Sequence, residues 1–199
     1  MKKIMFNDRY GLTQAVIEGR KTMTRRLADP KQKYQDFKRW QPCLELGFGL
    51  YGLIEDDDWK SIEPKYNLGE IVAVAQSYRD IGAECFETDA SILRASELHR
   101  MAGWANKMFV KSELMPHQIR ITRIKCERLQ DISDADCLKE GIRYFPEINK
   151  FYFEDIRREE GFYFDNPREA FAALIDKVSG RGTWASNPWV VVYEFDLLK

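Results

Sequence analysis

The chain has 199 residues, of which 44% are hydrophobic, 13% aromatic and 32% charged, a balance that excludes a disordered or fibrous protein and allows one substantial core with insertions. Its formal net charge of -1 excludes a protein that holds long nucleic acid mainly through a broad positive field, but not one that binds a nucleotide-sized ligand. No apolar run approaches the length needed to span a bilayer, and the N-terminal MKKIMFNDRY lacks the apolar segment of a secretory signal, so a cytoplasmic protein without membrane contact is expected.

In chain order, Lys3 to Phe6 is a short apolar run of strand type. Tyr10 to Glu18 follows with helical apolar spacing at Leu12, Ala15 and Val16 before a stop at Gly19. Residues 29–65 are rich in Lys, Asp and Gly and predict an irregular insertion with one strand at Leu50 to Ile54. Ile71 to Ala75 is a continuous apolar run, as expected of a strand covered on both faces. Thr88 to Ala102 carries Ile92, Ala95, Leu98 and Met101 at helical spacing and stops at Gly103. Gln118 to Arg128 alternates, but its apolar phase shifts between Ile119/Ile121 and Ile124/Cys126, which predicts a strand with a bulge near Thr122 and Arg123.

Ser133 and Asp136 have capping-box spacing, and Ile132 is placed to staple against Cys137, so a short helix is expected from Ser133 to Glu140, ending at Gly141. The aromatic-rich stretch from Tyr144 to Phe164, with Asn149-Lys150 inside it, predicts a hairpin. Asn166, Pro167 and Glu169 open a helix whose apolar stripe is Ala170, Phe171, Leu174, Ile175 and Val178. Trp189, Val191, Tyr193, Phe195 and Leu197 alternate with Val190, Val192, Glu194 and Asp196 in a closing strand. The sum is α+β, with several strands and few helices rather than a regular βαβ repeat.

The four cysteines, Cys43, Cys85, Cys126 and Cys137, show no paired spacing. The two histidines, His99 and His117, form no ligand pattern, so neither a metal nor another cofactor is expected. Cys126 and Cys137 suit small buried apolar positions in a reducing compartment. Lys21 to Arg39 carries seven basic residues against Asp29 and Asp36, a patch able to meet a few phosphates or simply to be solvated.

Three segments resemble the ASCH family of the PUA-like superfamily, in particular a prophage-type subfamily: EGRKTMTRRL at 18–27, ERLQDISDADCLKEGI at 127–142 and SNPWVVVYEF at 186–195. The first matches the family's G-x-K pattern through Gly19, Lys21, Thr24 and Arg26. The resemblance implies a PUA-like β-barrel spanning residues 1–199 as one domain, with helical and loop insertions around 29–65, 80–112 and 143–165, and an association with RNA or a modified nucleoside. One small bacterial member of the family is an amidohydrolase acting on N4-acetylcytidine through a Lys, a Thr three residues later and a Glu in a later helix. The similarity implies Lys21, Thr24 and Glu140 for those roles, with Arg26 as a substrate contact. Gln76, after the apolar strand, stands where family members often have an acidic residue.

Amide hydrolysis needs a nucleophile, a group to take its proton and one to return a proton to the leaving amine, which Thr, Lys and Glu can supply. Within one strand, Lys21 and Thr24 would face opposite ways, so their convergence requires a turn or bulge, which Gly19 allows. On residue type alone, Lys21, Arg25 and Arg26 equally fit a solvated face. A glutamate in the last turn of a helix meets the negative end of the dipole, a small cost of about 0.3 to 1 kcal/mol that a functional site would explain. Among the aromatics able to stack a base, Tyr78 is favoured over Trp40, Trp59, Trp104 and Trp184. The functional expectation is therefore a small-pocket amidohydrolase of acylated pyrimidine nucleosides. The alternatives are a non-catalytic RNA-binding module and a ribonuclease.

Overall fold

The computed structural model describes residues 1–28, 39–43, 49–53, 59–62, 64–82, 100 and 102–198, with backbone only for 39–43, 49–53 and 59–62. The α+β character is as expected. The central sheet has the order β1 (Lys3–Ile4), β6 (Ile71–Val74), β7 (Gln118–Arg128), β11 (Trp189–Leu198) and β2 (Met23–Leu27). All neighbours are antiparallel except β1 and β6. The edges β1 and β2 share no ladder among the described residues, but they are brought together through side chains. The Arg26 guanidinium, on β2, donates to the Met5 carbonyl just beyond β1, and the Tyr66 hydroxyl donates to Lys3 O while its ring meets Tyr193 of β11 edge-on at 5.3 Å. The sheet is therefore strongly curved.

Val72 and Val74 enter the main core, with Ile4, Ile119, Ile121 and Phe195, while Ala73 and Ala75 enter a second cluster with Tyr78, Val110 and Met115. The strand is thus covered on both faces, as its unbroken apolar sequence predicts. The β7–β11 register pairs Arg123 with Glu194 and Ile121 with Phe195, leaving Thr122 as the extra residue of a bulge. That bulge carries the phase shift seen in the sequence.

Helix α1 (Leu12–Ile17) stops at Gly19, whose φ is 72°. Helix α2 (Tyr78–Ile81) is one turn. The expected helix from Thr88 to Ala102 lies outside the described residues, apart from Arg100 and Ala102. Helix α3 (Asp134–Lys139) has Ser133 as its N-cap and Glu140 as its C-cap. Only half of the expected capping box forms. Ser133 Oγ accepts from the Asp136 N–H, but the Asp136 carboxylate turns to Arg25, 3.2 Å away, because a buried guanidinium is a stronger partner than an exposed N–H. Ile132 and Cys137 are both fully buried in the main core. Helix α4 (Pro167–Ser179) is capped by the Asn166 side chain and packs against α3 and against residues 150–155 and 160–164.

Two segments are more regular than their sequences predict. Within residues 39–62, β3 (Arg39–Cys43), β4 (Gly49–Leu53) and β5 (Trp59–Ile62) form an antiparallel three-stranded sheet, not an irregular insertion with one strand. Likewise, β8 (Arg143–Phe145), β9 (Lys150–Asp155) and β10 (Glu160–Phe164) form a second meander. The expected hairpin is its β8–β9 half, turning through Asn149 at φ 53°. The last strand departs from simple alternation: Val190 to Tyr193 are all buried. Arg25 pairs with Val192, and the side chains on that face lie beneath α3 and α4, so both faces of this part of β11 are covered.

Tyr78 lies against Gly103, where a Cβ would fall 2.3 Å from the Tyr78 ring and 3.0 Å from Val110. Gly103→Ala is therefore expected to overpack the second cluster and to cost about 1–3 kcal/mol. Urea denaturation checks this, and an unchanged midpoint would show that the ring moves aside freely.

Candidate active site

The site forms where the chain leaves α1. Lys21 N–H donates to Ala15 O and Thr22 N–H to Lys139 O, so residues 19–22 form a turn and the strand begins only at Met23. Lys21 leaves from the turn and Thr24 from the strand, which removes the opposite-face conflict of a continuous strand. The Lys21 ammonium donates to Glu140 twice, at 2.6 Å to Oε2 and at 2.7 Å to the backbone carbonyl. It therefore occupies the negative end of α3 and neutralises the glutamate placed there. Gly141 follows at φ 108°, and a Cβ there would lie 3.2 Å from Leu12 and 3.7 Å from the Lys21 stem. Only glycine suits both the backbone and the space.

Arg25 completes the arrangement and is the residue that the sequence alone does not single out. Its Nη1 donates to Glu140 Oε1 at 3.0 Å, its Nε and Nη2 to Glu127 Oε1 at 3.0 and 2.6 Å, and Nη2 also lies 3.2 Å from Asp136. Lys125 sits 2.7 Å from Glu127. The signal for Arg25 was the alternation of Thr24, Arg25 and Arg26 along one strand, which sends adjacent arginines to opposite faces. The relative exposures are 2% for Lys21, 4% for Thr24, 6% for Arg25 and 5% for Glu140, so none belongs to a solvated face.

Burial pushes the Lys21 pKa below the ordinary lysine value, against the opposing pull of Glu140. For Arg25 burial also opposes the charge, but Glu140 and Glu127 outweigh it and hold its pKa above the usual arginine value. One carboxylate thus lies between a permanent cation and a cation of adjustable protonation.

These groups border a cavity of about 380 Å³ along the free edge of β2. Lys21, Thr24, Arg25 and Glu140 form its deep end, Leu174, Ile175 and Val178 of α4 form an apolar wall, and Arg26 and Lys65 form its more exposed side. The Thr24 hydroxyl makes no hydrogen bond among the described residues. Of the residues expected from sequence, Lys21, Thr24, Arg26 and Glu140 come together here. Tyr78 does not line this cavity; it lies buried in the second apolar cluster. Gln76 is buried as well, with Oε1 2.8 Å from His117 Nδ1. Trp184 packs edge-on against Phe171 at 6.2 Å.

Comparison with protein-family models, curated proteins and solved structures finds no match to this chain. Among the described residues, no group of three or more His, Cys, Asp or Glu side chains could hold a metal ion, and no helix is long and apolar enough to cross a membrane.

Removing one member of a buried ion pair leaves an uncompensated charge and costs about 3–5 kcal/mol. Glu140→Ala leaves the buried Lys21 ammonium without its carboxylate and should lower Tm by roughly 6–20 °C in a chain of this size, with Glu140→Gln losing less. Thermal unfolding gives the comparison, and an unchanged Tm for Glu140→Ala would contradict the buried network.

Folding lowers the Lys21 pKa from 10.5, so the unfolded chain binds that proton more tightly. The cost of burying the ammonium is full below the depressed pKa and is relieved as pH rises from there towards 10.5. The stability difference between wild type and Lys21→Met should therefore shift in favour of wild type across that interval in alkaline urea titrations. A pH-independent difference would exclude the lowered pKa.

Proposed function

We propose that this cavity is the active site of an amidohydrolase that removes an acyl group from the exocyclic amine of a pyrimidine nucleoside of the N4-acetylcytidine type. The observation that carries the proposal is a buried Lys21–Glu140 pair sharing a ligand-sized cavity with an unpartnered Thr24 hydroxyl. A purely structural ion network needs no adjoining cavity, and a threonine that only supports a strand needs no free hydroxyl within it. The resemblance of residues 18–27 and 127–142 to the ASCH family supplies the substrate class. The sharp curvature that brings β1 and β2 together supports a PUA-like barrel. The free cysteines Cys126 and Cys137, whose thiols are pushed up to about 12 by burial, fit a cytoplasmic protein.

In the proposed reaction, Thr24 Oγ1 attacks the acyl carbon while neutral Lys21 takes the hydroxyl proton. The tetrahedral intermediate collapses by breaking the C–N bond, and Lys21 returns the proton to the departing exocyclic nitrogen. Water then cleaves the threonyl ester with Lys21 again as base, releasing the carboxylic acid and restoring Thr24. Glu140 orients Lys21 and steadies its ammonium form, and Arg25 fixes Glu140. A non-catalytic RNA-binding module would use Lys21 and Arg25 as exposed phosphate contacts. Their burial and carboxylate pairing favour the enzyme over that module.

Thr24→Val keeps the shape and removes only the hydroxyl. Acetate release from N4-acetylcytidine should fall by at least about 100-fold in this variant, in line with loss of a nucleophile. Thr24→Ser should retain activity. For the wild type, the rate should rise with pH through a pKa below the ordinary lysine value. Turnover by Thr24→Val equal to wild type would sink the nucleophile assignment, and absence of turnover by folded wild-type protein would sink the substrate class.

A further inference from the structure

The charges around the cavity fall into two groups. At and behind the deep end, Lys21 and Arg25 pair with Glu140, Glu127 and Asp136, and Lys125 and Lys139 lie beside the last two, so every one of these charges is within ion-pair distance of an opposite charge. Arg26 and Lys65 line the same cavity from its more exposed side, and neither has a carboxylate within ion-pair distance among the described residues. Arg26 is held in place by the Met5 carbonyl and by the Phe6 ring, 5.7 Å from its guanidinium. Lys65 is held by its backbone N–H, which donates to the Tyr193 hydroxyl at 3.0 Å, and its ammonium lies 5.5 Å from the centre of the Tyr66 ring. Arg26 also acts electrostatically on the Tyr66 and Tyr193 hydroxyls, so both cations converge on the same tyrosine pair.

We infer that the substrate enters as an anion, with a phosphate on its nucleoside held by Arg26 and Lys65 while the acylated base reaches Lys21 and Thr24. This inference rests on the nucleoside reading above and narrows it to a phosphorylated form. A neutral nucleoside would leave two cations facing the cavity without a counter-charge among the described residues. A phosphate satisfies them with charge-assisted hydrogen bonds, for which a guanidinium fork and an ammonium are suited. The apolar wall from α4 then faces the uncharged part of the ligand. The same chemistry fits a free nucleotide and the terminal phosphate or a phosphodiester of an RNA strand.

The test is binding without turnover, using the Thr24→Val protein and cytidine, cytidine 5′-monophosphate, cytidine 3′-monophosphate, a cytidine-containing dinucleotide and inorganic phosphate, each at low and high salt. A phosphorylated form should bind about 10- to 100-fold more tightly than cytidine, the range expected for charge-assisted contacts. That advantage should shrink with salt, and Lys65→Gln and Arg26→Gln should each remove most of it. Lys65 is exposed, so its variant folds even if loss of the Arg26 tether to Met5 disturbs the edge strands. Preference for a monophosphate identifies a nucleotide, and preference for the dinucleotide identifies an RNA segment. If cytidine binds and no phosphorylated form binds better, or if the advantage survives both substitutions, the anion inference falls and the nucleoside reading stands. If inorganic phosphate binds in a Lys65-dependent way but no cytidine compound binds better than phosphate itself, the nucleoside reading falls instead. If nothing binds, both fall.

Discussion

Taking charge out of water is the constraint that organises this protein around Glu140. A carboxylate, an ammonium and a guanidinium can share a dry site only if nearly every lone pair and proton finds a partner. Glu140 meets that condition through Lys21 on one oxygen and Arg25 on the other. Each partner imposes its own requirement. Lys21 must leave the chain between α1 and β2, which the turn after Gly19 provides. Arg25 must reach inward from β2, and it is steadied by Glu127 of β7 and Asp136 of α3. The network thus joins two strands, a turn and a helix end, and fixes α3 against the sheet without a large apolar face on that six-residue helix.

The placement of this network at a sheet edge explains why a cavity can exist beside it. A central strand is flanked on both sides, whereas among the described residues β2 pairs only with β11. Its free edge leaves space that α4 and the Phe6–Asn7 segment border without filling. Residues from both faces of the strand reach that space, Thr24 and Arg26 from one and Arg25 from the other. An open edge usually invites pairing with another strand. Here Arg26 and Lys65 place positive charge beside it, a device that discourages a further strand.

Much of the fold was legible because it depends on local rules. The Asn166 cap, the stop after Glu140, the double-sided burial of Val72 to Val74 and the bulge at Thr122 all follow from spacing within a few residues. The meanders at 39–62 and 143–164 were less legible because their strands lack clean alternation and are defined by pairing between segments. The site divided along the same line. Lys21, Thr24 and Glu140 were expected from the resemblance and line one cavity, while Arg25 was masked by its neighbours, since in TRRL nothing local tells an inward arginine from an outward one. Asp136 satisfied a local motif and was diverted by a partner more than a hundred residues away. Tyr78 looked available because it follows a buried strand, but its ring lies against Gly103 within the cluster of Ala73, Ala75, Val110 and Met115.

The two cations on Glu140 are not equivalent, and their difference bears on chemistry more than on folding. An arginine keeps its proton under all ordinary conditions, so Arg25 supplies a fixed field and a rigid bidentate anchor to Glu127. A lysine in the same surroundings is a balance: burial favours the neutral amine and Glu140 favours the ammonium. If stability alone governed the site, a second arginine at position 21 would serve at least as well, because it would hold its charge and offer more donors to the end of α3. A lysine there, beside an unpartnered hydroxyl and under the standing positive charge of Arg25 and Arg26, is the arrangement in which a proton can leave and return. In the proposed reaction, the fixed charges set the energy of that transfer, and the movable proton performs it.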